Sequence, residues 1–165
     1  MIKRELYLKK IRPLIGKDLI KVLTGIRRCG KSSMLKIIIA ELLKEGINRQ
    51  NIILINFESA KYMNIHDSTK LNILIENLTK ELEGRIYLFF DEVQNVKNWE
   101  KSINSFRVDL NVEIFITGSN ANLLSGELAT LLAGRYIEIK IYPFSFKEGL
   151  KLKKYTNEKF FHGIS

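Results

Sequence analysis

The run Gly25-Ile26-Arg27-Arg28-Cys29-Gly30-Lys31-Ser32 narrows the folds open to this chain more than any other stretch. An apolar segment, residues 19–23, leads into it. Residues 31–44 lead out of it, with Met34, Leu35, Ile38, Ile39, Leu42 and Leu43 at helical spacing. A strand therefore turns through two glycines into a helix. Gly25 and Gly30 allow the backbone to aim successive N–H groups inward, and the helix start adds partial positive charge. Such a turn cradles phosphate oxygens. Lys31 can reach the β- and γ-phosphates of a nucleotide, and the Ser32 hydroxyl can ligate Mg²⁺. The predicted nucleotide-binding residues are Gly25, Ile26, Arg27, Arg28, Cys29, Gly30, Lys31, Ser32 and Ser33.

The same alternation runs along the whole chain. Apolar runs at 19–23, 52–57, 85–90, 112–117 and 136–141 read as five strands. Residues 3–15 read as a short helix with Leu6, Ile11 and Leu14 on its apolar side. Helices are predicted at 31–44, stopped by Gly46, at 69–82, and at 98–110 with Trp99, Ile103, Phe106 and Leu110 on one side. A broken helix at 123–133 and a short one at 145–150, beyond Pro143, complete the pattern. Five short apolar strands separated by helices predict an α/β fold, a parallel sheet covered on both faces. Ligands of such sheets bind at the carboxyl ends of the strands, so the polar residues following each strand are the ones to weigh.

The third strand ends in "YLFFDEVQ", which puts Asp91 at its carboxyl edge, where it can hold Mg²⁺. Glu92 is next, where a general base for water belongs. The fourth ends in "FITGSNA", where Ser119 or Asn120 can position the attacking water or sense the γ-phosphate. Asn56, at the end of the second, is placed to hydrogen-bond Glu92. Arg135 precedes the fifth strand and can face the γ-phosphate of a neighbouring copy, which makes that copy an expected partner.

With 165 residues the chain fits one domain. One cysteine excludes an intrachain disulfide, and two histidines far apart in sequence, His66 and His162, with no cysteine near them, argue against a structural zinc site. No apolar run reaches the roughly 20 residues of a membrane span, and the charged N-terminus is not a signal peptide, so a cytoplasmic protein is expected. The net charge of +9 invites a polyanion, nucleotide or nucleic acid.

Taken together, "TGIRRCGKSSML", "FFDEVQNV", "FITGSNANLLSGELATLLAGRY" and "IYPFSFKEGL" resemble the ATPase core of the prokaryotic AAA+ family AAA_14, over residues 3–150. The resemblance implies a three-layer P-loop NTPase of the ASCE type with strand order 5-1-4-3-2. It implies ATP and Mg²⁺ as ligands, with Lys31, Ser32, Asp91 and Glu92 in the roles given above and Arg135 as an arginine finger. Members of the family continue past this core, so residues 1–150 are expected to form the ATPase core and 151–165 to begin a C-terminal lid or region. The leading expectation is an ATP-hydrolysing switch or motor core, with DNA or protein as cargo. A nucleotide-binding module without turnover and a charge-driven nucleic-acid binder are the alternatives.

Overall fold

A computed structural model describes residues 4–118, 132 and 134–143 of the chain. Helix α1, Glu5–Ile11, passes into a 3₁₀ turn, Arg12–Leu14. Strand β1, Ile20–Thr24, follows, then helix α2, Lys31–Lys44. Strand β2 is Ile52–Asn56, helix α3 Ser68–Thr79 and strand β3 Ile86–Asp91. Helix α4 is Trp99–Asp109, and strands β4 and β5 are Val112–Gly118 and Tyr136–Lys140. The helices expected at 123–133 and 145–150 lie outside the described residues, apart from Leu132, as do residues 151–165.

The five strands form one sheet in the order β2-β3-β4-β1-β5, and every neighbouring pair is parallel. Read from the other edge this is 5-1-4-3-2, the order that the resemblance implied. Alternate side chains feed two cores. Ile20, Val22, Leu88, Phe90, Ile114 and Ile116 meet α3 and α4 through Leu71, Ile75, Trp99, Ile103 and Phe106. Leu23, Tyr87, Phe89 and Phe115 meet α1 and α2 through Leu8, Ile11, Met34, Leu35 and Ile38. Within the second core the Phe89 and Phe115 rings stack with centroids 4.6 Å apart. Both faces of the sheet are therefore dry, which is why its strands read as continuous apolar runs.

Three details of the helices differ from expectation. The first helix does not run unbroken over 3–15: it changes to a 3₁₀ turn at Arg12, with Pro13 in the first positions of that turn. Leu6 is 66% exposed, and Tyr7, Leu8 and Ile11 form the buried stripe in its place. Steps of three and four residues share a helix face, whereas the five-residue step from Leu6 to Ile11 does not. On α2, Leu43 lies beside the stripe of Met34, Leu35, Ile38 and Leu42 and is exposed.

One strand position carries a charge into the core. Lys21 of β1 and Glu113 of β4 are both fully buried and paired at 2.6 Å. Arg85 reaches the second Glu113 oxygen at 3.1 Å, and the Gly16 amide donates to the same carboxylate. No helix among the described residues is long and apolar enough to cross a membrane.

Candidate functional site

The loop between β1 and α2 is built by close contact. A Cβ on Gly25 would stand 2.3 Å from the Ile141 carbonyl oxygen and 2.6 Å from Cys29 Sγ, so glycine is obligatory there. Ile141 donates its amide to the Thr24 carbonyl at 2.7 Å, which fixes the chain after β5 against the loop. The Cys29 amide closes a turn onto Ile26 O at 3.2 Å, and the Cys29 side chain is buried in the α1/α2 core. Gly30 caps α2 at φ 98° with no side-chain cap. The first-turn amides, those of Lys31, Ser32 and Ser33, have no acceptor within the helix. The Ile26 and Arg27 side chains are exposed, and Arg27 lies near Glu58 at 3.6 Å.

Lys31 and Ser32 then reach the end of β3. The buried Lys31 ammonium donates to Gly25 O and Ile26 O at 3.2 and 3.4 Å and pairs with Glu92 Oε1 at 3.3 Å. Ser32 Oγ donates to Asp91 Oδ1 at 3.1 Å. Thr117 Oγ1 donates to the same Asp91 oxygen at 2.6 Å and accepts from the Glu92 amide at 2.9 Å. Successive side chains of a strand point to opposite faces. Glu92 escapes that alternation because its backbone turns left-handed, φ 55° and ψ 51°, and both carboxylates come to the same end of the sheet. Glu92 Oε2 accepts from Gln94 Nε2 at 2.6 Å.

The donor set fits Mg²⁺. Neighbouring oxygens of an octahedral shell with bonds of about 2.1 Å lie roughly 3 Å apart. Ser32 Oγ and Asp91 Oδ1 are 3.1 Å apart. The described residues contain no cluster of three His, Cys, Asp or Glu, so the remaining ligands would be phosphate and water oxygens, the pattern typical of Mg²⁺.

Asn56 is placed differently from expectation, and Arg135 lies away from the site of its own chain. Asn56 does not hold Glu92. Its carbonyl oxygen accepts from the Glu58 amide at 2.8 Å, because a side chain one step past the last core residue of β2 turns back on its own backbone. Arg135 is not brought to the site. It precedes β5, where its carbonyl accepts from the Ile20 amide at the start of β1, and its guanidinium donates to Asn104 Oδ1 at 3.3 Å. Ser119 and Asn120 lie outside the described residues.

Three residues join the site that sequence reasoning did not single out: Thr117, Gln94 and Arg4. Arg4 is 2% exposed and donates to Cys29 O at 3.1 Å and to Tyr142 O at 2.7 Å. Its guanidinium lies 4.5 Å from the Tyr7 ring centre, and Tyr7 Oη accepts from the Tyr142 amide at 3.0 Å. Thr117 had a signal, a hydroxyl ending the strand beside β3. Arg4 had none.

With this geometry, the chain matches the family AAA_14, described as an AAA domain, over residues 17–150. The chain belongs to that family. An uncharacterized protein of Haemophilus influenzae is 48% identical to this chain over 158 residues, which cover 96% of the chain and 40% of the relative. Another, from Methanocaldococcus jannaschii, is 41% identical over 140 residues, 85% of the chain and 30% of the relative. The chain thus spans less than half the length of these curated relatives. Among solved structures, the Aeropyrum pernix Orc1 protein in complex with DNA aligns with a TM-score of 0.68 at 10% identity, over 96% of the chain and 50% of that protein. The S. cerevisiae Hsp104:casein complex aligns at 0.65 with 16% identity, over 99% of this chain and 31% of that chain. At these identities the likeness is one of fold.

Proposed function

We propose that this AAA domain binds ATP with Mg²⁺ and hydrolyses it, with Glu92 as general base. The observation that carries the reading is the convergence of Lys31, Ser32, Asp91 and Glu92 at the open start of α2. The first-turn amides and Lys31 take the phosphates. The phosphate oxygens replace Glu92 as the partner of the Lys31 ammonium, and the carboxylate is released to face water. Ser32 and Asp91 hold Mg²⁺, which when bound neutralises charge on the β- and γ-phosphates. Glu92 takes a proton from water as the water oxygen bonds to the γ-phosphorus, and the bond from that phosphorus to ADP breaks. Thr117 holds Asp91 and the Glu92 backbone at fixed separation. Arg135 serves the site of a neighbouring copy, and the domain acts as a switch or motor core.

Two variants test the reading. Lys31→Ala should weaken ATP binding at least tenfold with the fold intact, since triphosphate charge is left uncompensated. Glu92→Gln should bind ATP as the parent does and release phosphate about 100-fold more slowly, the scale of a lost general base. Parental ATP affinity in Lys31→Ala, or parental turnover in Glu92→Gln, would overturn it.

A further inference from the structure

We infer that Gln94 is a positioning residue for Glu92: its amide holds one carboxylate oxygen so that the other is presented to water once Lys31 engages phosphate. The inference rests on the reading of Glu92 as general base. It starts from how the carboxylate is divided. Oε1 belongs to Lys31 at 3.3 Å, and Oε2 belongs to Gln94 Nε2 at 2.6 Å. Phosphate competes for Lys31, which belongs to the loop and is the cation of the pair, whereas the Gln94 amide lies outside that loop, in the turn after β3. Nucleotide therefore frees Oε1 and leaves Oε2 tethered.

The tether has a fixed base. Gln94 sits in the 3₁₀ turn Val93–Asn95, between Val93 and Val96, both buried in the α3/α4 core. The Asn95 amide closes onto Glu92 O at 3.2 Å and the Val96 amide onto Val93 O at 3.0 Å. The Gln94 backbone thus cannot drift from Glu92. Its amide cannot turn over either, because the carbonyl oxygen would then face a carboxylate. That oxygen, Oε1, is buried with no hydrogen-bond partner among the described residues. Among the described residues the Gln94 donor thus serves Glu92 while its acceptor has no partner. Thr117 fixes the Glu92 main chain, but its side-chain torsions would remain free without a second hold.

Steady-state phosphate release and ATP titration separate the outcomes. Gln94→Leu should lower kcat about tenfold with ATP affinity and KM unchanged, and Gln94→Lys, which restores a donor, should recover part of the loss. In a Glu92→Gln background, Gln94→Leu should change the residual rate less than twofold. Parental kcat in Gln94→Leu, or the same tenfold loss with Glu92 already replaced, overturns the inference while the general-base reading stands. Parental turnover in Glu92→Gln overturns the reading itself. A second measurement is independent of turnover. The Gln94 side-chain amide resonances of ¹⁵N-labelled chain, assigned by their loss in Gln94→Leu, should shift in Glu92→Ala and stay protected from solvent exchange when AMP-PNP and Mg²⁺ are added. Protection that vanishes on adding AMP-PNP would show the tether released, and would overturn the inference.

Discussion

Gly25 leaves no space for a methyl group: one side is the Ile141 backbone, the other the buried Cys29 thiol. Gly25→Ala must move either the phosphate loop or the chain after β5. Its expected cost is about 1–3 kcal/mol, the scale of overpacking, together with at least tenfold weaker ATP binding. Urea denaturation alongside an ATP titration checks both. Gly134→Ala is the comparison: φ is 71° there but nothing lies within 4 Å, so only stability should fall, with ATP binding unmoved. The phosphate loop was legible in the sequence because each of its constraints is local: a glycine where backbone must bend, a lysine and a serine where a helix opens. Asp91 and Glu92 were legible for the same reason. Thr117 becomes part of the site only through the pairing of β4 with β3, which a linear reading does not give. Gln94 depends on the left-handed turn at Glu92, a conformation that a non-glycine residue does not advertise.

The strands have their own internal division. Their carboxyl ends carry the site; near their amino ends lies the buried group of Lys21, Glu113 and Arg85. Burial pushes the Lys21 ammonium below the ordinary lysine range, against the pull of Glu113. Removing Glu113 removes that pull and leaves a lysine in the core with its charge unmatched. Glu113→Ala should therefore cost about 3–5 kcal/mol in urea denaturation, as breaking one half of a buried pair does. The ATP affinity of the chain that remains folded should be unaffected, because the group lies a strand's length from the phosphate loop. At this scale the sequence was most informative about strands, since sheets covered on both faces give unbroken apolar runs. It was least informative about α1, where Leu6 and Tyr7 are both large and apolar and only the packing against α2 and β5 selects Tyr7.

In the whole molecule, β5 puts Arg135 at one end of the sheet and the phosphate loop at the other, with the five-residue strand β1 between them. That strand is roughly 15 Å long at about 3.3 Å per residue, well beyond the reach of an arginine. Arg135 is thus out of reach of the β1–α2 loop of its own chain, and under the proposed function it serves another copy. Hydrolysis per chain should then rise with protein concentration, and Arg135→Ala should abolish the rise with ATP affinity preserved. Mixing Arg135→Ala with Lys31→Ala chains should restore part of the activity, since one supplies the nucleotide site and the other the arginine. Full activity that is flat with concentration would remove Arg135 from the reaction. The route of the chain after β5 has a mechanical consequence. Arg4 grips Cys29 in the phosphate loop and Tyr142 beyond β5, and Ile141 is bonded to Thr24. Ile141 is thus tied directly to the end of β1, and Tyr142 is tied to Cys29 of the loop through a single guanidinium. A load applied at Pro143 would therefore pass to the end of β1 through Ile141 and to the loop that carries Cys29 through Arg4, so a pull on the chain there strains the proposed phosphate cradle.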